Sequence, residues 1–236
     1  MTMKRTTLIS ITLVLCVSLF AQNYTRIPLI GEKAPDFQGE STNGTINFPE
    51  DFGSSWKVIL SHPKDFTPVC TSELLELARM QNDFKVLGVN VIVLSTDNLN
   101  DHYSWITGME KIKQDGRDPV KIDFPLVDDH TARISYKYGM LHETTSTTRD
   151  VRGVFIIDPD NVIRSFQFYP IEMGRNMLEI KRSIIALQTS DRNDVHMPVN
   201  WEPGNDVLLY HYDKKALESP DVYQLSWFLT YKKLAD

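Results

Sequence analysis

Cysteine is nearly absent. Only Cys16 and Cys70 occur in 236 residues, so at most one disulfide can close and a disulfide-stapled scaffold is excluded. No basic block occurs, and 25 Lys and Arg stand against 31 Asp and Glu for a formal charge of −6, which argues against nucleic acid as a partner. No apolar run reaches the roughly 20 residues that span a bilayer, so stable membrane insertion is not expected. With 11 glycines and 12 prolines the chain is neither collagen-like nor of low complexity. What is present, 42% hydrophobic and 24% charged residues, is the composition of an ordinary globular protein with enough chain to bury a core.

The first residues read as a secretory signal peptide. Lys4 and Arg5 precede an uncharged, largely apolar run from Thr6 to Phe20, and Ala21 offers a small residue at its end. Residues 1–21 are therefore expected to be removed and the protein exported, periplasmic or secreted. An uncleaved anchor and a lipid anchor on Cys16 are the alternatives, the latter disfavoured by bulky Leu15 before it. Removal leaves Cys70 as the one thiol, so the mature chain has no internal disulfide.

From Ile30 onward short apolar runs alternate with helix-like segments. Val58-Ile59-Leu60 and Val89–Leu94 read as buried strands. Thr71–Lys85 carries Leu74, Leu77, Ala78 and Phe84 at helical spacing. Asp97 or Asn98 can cap a helix with Trp105, Ile106 and Met109, and Thr131–Tyr138 reads as a helix ended by Gly139. Phe124–Val127 is a short strand. Gly153–Ile157 and Val162–Tyr169, joined by Asp158-Pro159-Asp160-Asn161, form a hairpin, and Asn176–Gln188 is a helix. Such alternation predicts an α/β layered domain with a partly parallel sheet. After about Ser190 the chain turns polar, then aromatic, with Tyr210, Tyr212, Tyr223, Trp227, Phe228 and Tyr231. This tail is too short for a large core of its own and is expected to pack on the first domain or on a second subunit.

One junction carries chemistry: Ser61-His62-Pro63-Lys64-Asp65-Phe66-Thr67-Pro68-Val69-Cys70-Thr71-Ser72-Glu73. It places Cys70 in the first turn of a helix, where open N–H groups and the positive dipole end favour a thiolate. Thr67 can set its hydroxyl beside the sulfur, and the two prolines stiffen the loop. A nucleophilic thiol fits these features, and so does a cysteine that merely packs at a helix start.

The string Pro63-x-x-x-Thr67-x-x-Cys70 matches the active-site motif of the peroxiredoxins, and His62 to Thr71 resembles their one-cysteine subgroup. The resemblance spans residues 27–210, with Arg152 before Gly153–Ile157, the Tyr169-Pro170 pair, Gly174-Arg175-Asn176 and Thr189–Trp201. It implies a thioredoxin-like α/β fold over residues 27–188, with a central mixed sheet flanked by helices. A small C-terminal extension, 189–236, would make dimer contacts. It also implies a thiol peroxidase of hydrogen peroxide and organic hydroperoxides, with no cofactor, working through a Cys70 sulfenic acid that an external thiol resolves. In the family's pattern Thr67 and Arg152 hold the peroxide and Pro63 shields the sulfur. His62 stands beside the pocket, and Val69 and Cys70 offer backbone N–H groups. Glu73 is read as orienting Arg152, or as an ordinary acid at a helix start. Arg175 is read as adding positive potential, or as a solvated or capping arginine.

Other readings compete. A disulfide oxidoreductase needs a second cysteine where Ser72-Glu73 stands. The six histidines, 62, 102, 130, 142, 196 and 211, show no metal-ligand spacing. Some one-cysteine members are also phospholipases with a Gly-x-Ser-x-Gly serine. Here Gly53-Ser54-Ser55-Trp56-Lys57 departs from that pattern, Pro49 stands at the histidine position, and only Ser55 and Asp160 match. A peroxide sensor or holdase using the same thiol is the non-enzymatic alternative.

Overall fold

The computed structural model describes residues 26–210, 212 and 214–234. The expected signal segment with Cys16, and also His211, fall outside the described residues. Strand β1 (Phe37–Ser41) pairs antiparallel with β2 (Gly44–Phe48). Then follow β3 (Trp56–Ser61), α1 (Pro68–Val86), β4 (Val89–Ser95), α2 (Leu99–Met109), β5 (Leu126–Asp128) and α3 (Arg133–Lys137). Next come β6 (Arg152–Ile157), β7 (Ile163–Tyr169) and α4 (Met177–Asn193). The seven strands form one mixed sheet in the order β2-β1-β5-β4-β3-β6-β7, parallel at its centre and antiparallel at both edges. This is the thioredoxin-like α/β arrangement that the motif implies.

Strand alternation divides the core in two. Val58, Leu60, Val91, Val93, Val154 and Ile156 pack toward α1 and α4, against Leu74, Leu77, Phe84, Ile180 and Ile184. Ile59, Ile92, Leu94, Phe155 and Ile157 pack on the other face with Phe37, Phe48, Ile134 and Tyr138. Every residue of β3 is buried, so the strand leading into the motif is fixed from both sides.

Several boundaries move for identifiable reasons. Helix α1 starts at Pro68 rather than Thr71, because proline suits a first helical position whose N–H is not needed. Asn98 is the cap of α2, accepting from Asn100 and Asp101. Asn176 caps α4 in the same way, and the helix runs on to Asn193, through the boundary expected at 188/189, until Asp194 turns left-handed at φ 52°. Gly139 ends the α3 region at φ +63°, and a Cβ there would lie 2.6 Å from Ile27 Cγ1, so both conformation and space demand glycine. The β1–β2 hairpin had no sequence reading, because just Phe37, Ile46 and Phe48 supply its buried apolar contacts.

The extension packs at its root and is open at its tip. Val195, Trp201 and Val207 cluster with Ile185 and Ala186 of α4, so this part folds onto its own domain. Strands β8 (Val207–Leu208), β9 (Val222–Ser226) and β10 (Leu229–Lys232) make a small sheet in the order β8-β10-β9. Trp227 and Phe228, at the β9–β10 turn, are 82% and 72% exposed. Among the described residues no helix is long and apolar enough to cross a membrane.

Candidate active site

The sheet brings Cys70 and Arg152 together across 82 residues of chain. Cys70 is the third residue of α1 and fully buried. Arg152 opens β6, which is separated from β3 in sequence by two strands, β4 and β5, but is adjacent to it in the sheet. Its Nη1 donates to Cys70 Sγ at 3.2 Å and to Glu73 Oε2 at 2.8 Å, while Nε and Nη2 donate to the Ile171 carbonyl at 3.3 and 2.8 Å. The fork is held rigidly because every arm has a fixed acceptor.

Glu73 is what fixes the two arginines. It lies 3% exposed, one turn beyond Cys70. Besides Arg152 it accepts from Arg175, through the backbone N and Nε to Oε1 at 2.6 and 2.9 Å and through Nη2 to Oε2 at 2.8 Å. Burial pushes the Glu73 carboxyl up, but the Arg175 charge and hydrogen bonds, with the Arg152 charge, outweigh it and hold the group below its ordinary value. Glu73 is therefore no ordinary helix-start acid. Nor is Arg175 a solvated or capping residue: it is buried, its remaining Nη1 donates to the Ser61 and Gly153 carbonyls, both at 2.8 Å, and the cap is Asn176. Arg175 supports the pocket through Glu73 and bonds to no sulfur.

The loop supplies the rest. Pro63 is buried, and Val69 is half-buried against the Gly174 segment. Val69 and Cys70 are the second and third residues of α1, whose N–H groups the helix itself leaves open. Thr67 is the N-cap, yet its side chain does not cap the helix; its hydroxyl donates to the Lys64 carbonyl at 2.9 Å. With its proton committed, the Thr67 oxygen keeps lone pairs free for an outside donor. Phe66 takes φ 58°, turning the loop just ahead of that cap.

His62 is fully buried, with Nε2 2.7 Å from Asp65 Oδ1. Sequence reasoning missed its partners. Asp65 Oδ2 meets His102 Nδ1 at 2.7 Å, and the Asp65 N–H donates to Asp97 Oδ2 at 2.8 Å. Asp65 was visible within the motif, but no spacing signal links it to His102 in α2 or to Asp97. Ligating atoms of His62, Asp65 and Asp97 lie within 4.8 Å of one another, a grouping that sequence spacing does not display. The carboxylates are already engaged with neighbours: Asp65 with His62 and His102, and Asp97 Oδ2 with the Asp65 N–H and, at 3.1 Å, the Ser95 hydroxyl. Ser55, by contrast, has no base on its hydroxyl: it donates to the Phe52 carbonyl and accepts from the Asn90 amide, both at 2.6 Å.

Asp150, two residues before Arg152, is 2% exposed, and neither of its oxygens meets a donor with hydrogen-bond geometry. Ser135, close enough to favour the charged form, donates its hydroxyl to Asp129 at 2.6 Å. Burial first, then the Asp129 and Asp97 charges, push the Asp150 carboxyl well above its ordinary value. The native state thus holds this proton more tightly than the unfolded chain. Stability from this site is lost as pH rises from the unfolded value, about 3.9, through the raised native one. Asp150→Asn keeps a neutral group of the same shape. In denaturant melts it is expected to gain about 1.4 kcal/mol for each pKa unit of the shift crossed by pH 8, and little at pH 4. A difference between the two proteins that is constant with pH contradicts this.

Comparison with known proteins agrees with the geometry. The AhpC/TSA family model matches residues 30–166. A peroxiredoxin of Methanosarcina mazei is 40% identical over 215 residues, covering 88% of this chain and 98% of its own. One of Thermotoga maritima is 39% identical over 219 residues, covering 89% and 99%. Among solved structures, yeast mitochondrial 1-Cys peroxiredoxin, described with thiol resolution via glutathione/thioredoxin systems, superposes with TM-score 0.79 at 32% identity, covering 88% of this chain and 100% of the other. A cysteine-to-serine mutant of peroxiredoxin 6 of Arenicola marina gives 0.78 at 33%, covering 87% and 97%.

Proposed function

This chain belongs to the AhpC/TSA family, the peroxiredoxins, and is a thiol-dependent peroxidase; from that premise we propose that it reduces hydrogen peroxide and organic hydroperoxides with Cys70 as its one working sulfur. The observation that carries this reading is the Arg152 guanidinium, clamped by Glu73 and the Ile171 carbonyl, with an N–H on Cys70 Sγ at 3.2 Å.

The chemistry follows from the residues. Cys70 thiolate attacks one peroxide oxygen, the S–O bond forms as the O–O bond breaks, and the departing oxygen takes a proton to leave as water or an alcohol. Arg152 and the open N–H groups of Val69 and Cys70 face charge building on the oxygens, while Thr67 accepts from the peroxide O–H. Pro63 limits water at the nascent sulfenic acid. An external thiol then displaces hydroxide, released as water, to give a mixed disulfide at Cys70. A second thiol restores Cys70 and departs as a disulfide.

The external thiol is required because Cys70 is the free cysteine of the described residues and Cys16 lies in the segment we read as removed on export. A glutathione- or thioredoxin-type reductant fits, as named for the yeast relative, and the extension suits a homodimer. Purified residues 22–236, mixed with excess peroxide and dithiothreitol, glutathione or a thioredoxin system, should consume many equivalents of peroxide per chain. Consumption of a single equivalent with reductant present would instead identify a sensor or holdase. Light scattering of the same sample checks the dimer.

A further inference from the structure

Between α2 and the loop before α1 lies a buried line of polar groups that the steps above do not use: His102, Asp65 and His62, at 0%, 1% and 0% exposure. Its protons can be placed from the partners alone. His102 Nε2 lies 3.2 Å from the Val127 carbonyl, which has no proton to give, so this nitrogen carries one. His102 Nδ1 faces Asp65 Oδ2 at 2.7 Å and donates there, making His102 an imidazolium. The other oxygen of Asp65 is 2.7 Å from His62 Nε2, which donates in turn. That leaves His62 Nδ1, buried and with no partner. A proton there would be a second buried cation facing a single carboxylate.

The electrostatic neighbours agree. Burial pushes His102 down, but the Asp65 hydrogen bond and charge, the Val127 carbonyl and the Asp97 charge raise it overall. Burial, the largest influence, lowers His62; the Asp65 hydrogen bond and charge raise it, and the charges of His102 and Arg175 add to the lowering. Asp65 is raised by burial and lowered, by more, through its two histidine partners. The line is tied to the reacting segment as well. The His62 ring packs 5.1 Å from the Trp105 ring, Trp105 Nε1 donates to Thr71 Oγ1 at 3.2 Å, and Thr71 Oγ1 donates to the Thr67 carbonyl at 2.8 Å.

We propose that His102 is a positioning residue for the peroxidase reaction: as an imidazolium fixed between Asp65 and the Val127 carbonyl, it keeps His62 neutral with a bare Nδ1. The segment from 62 to 71 then carries a neutral, buried imidazole rather than a second positive charge. This rests on the thiol-peroxidase reading.

Side-chain 15N NMR of the whole protein tests it without any substitution. At about pH 7, both nitrogens of His102 should be protonated and His62 should show one N–H and one bare nitrogen. His102→Gln keeps a donor to Asp65 but removes the charge, so Asp65 can then draw a proton onto His62. The rate of Cys70 oxidation in that variant should fall at least about tenfold near pH 6 and approach wild type above about pH 8.5. Loss by the same factor at every pH means a structural role alone and overturns the proposal. A bare nitrogen on wild-type His102 near pH 7 overturns it too, and that measurement stands even where His102→Gln does not fold. Failure of the peroxidase reading is distinct: wild-type Cys70 would not oxidise at any pH, whatever the nitrogens show.

Discussion

Cys70→Ser abolishes peroxide turnover, with an expected loss of at least about 10³-fold in rate, because a neutral hydroxyl is a poor nucleophile where a thiolate is a strong one. Serine is close in shape, so the helix start and the Arg152–Glu73 contact at 2.8 Å persist. Burying a hydroxyl where sulfur was costs about 1–2 kcal/mol, which a globular domain tolerates. Peroxide consumption under excess dithiothreitol, beside a denaturant melt, separates lost chemistry from lost fold. Equal turnover by the serine protein would remove Cys70 from the mechanism.

Arg152→Met should slow the first oxidation of Cys70 by about 10²- to 10³-fold, the usual worth of one fixed donor facing developing charge. Stopped-flow mixing with hydrogen peroxide, read by the remaining thiol, measures this directly. The stability change should be the smaller effect, about 1–3 kcal/mol, since Arg175 still holds Glu73 by three hydrogen bonds and the Ile171 carbonyl loses two donors. Arg152→Lys retains charge, but one ammonium cannot reach Cys70, Glu73 and the Ile171 carbonyl with the same fork. It should recover at most about a tenth of the wild-type rate. An unaltered rate in the methionine protein would mean that the 3.2 Å contact has no catalytic part.

The site was legible in the sequence where its chemistry is local. The helix start at Cys70 and the Pro63 loop follow from neighbouring residues, whereas the N-cap position of Thr67 came from the structure. Arg152 and Arg175 were reachable through family resemblance, since nothing local says that an arginine opening one strand meets a cysteine opening one helix. Glu73 shows the limit well. One turn from Cys70 it reads equally as a generic first-turn acid, and its clamp appears once Arg175 arrives from 102 residues away. His102 and Asp97 stayed hidden for the same reason. Each is an unremarkable polar residue near a helix cap until tertiary structure buries it beside Asp65. The central strands were legible because parallel, doubly covered strands are continuous apolar runs, whereas the β1–β2 hairpin borrows most of its burial from its neighbours.

The separation of 82 positions from Cys70 to Arg152 also sets a timing. During synthesis the cysteine emerges long before the arginine that contacts it, and β6 cannot dock beside β3 until both are present. Until then the thiol is an ordinary one, slow with peroxide and poor bait for irreversible oxidation. On the proposed mechanism reactivity waits for completion of the sheet, so an unfinished chain carries a sulfur without its arginine.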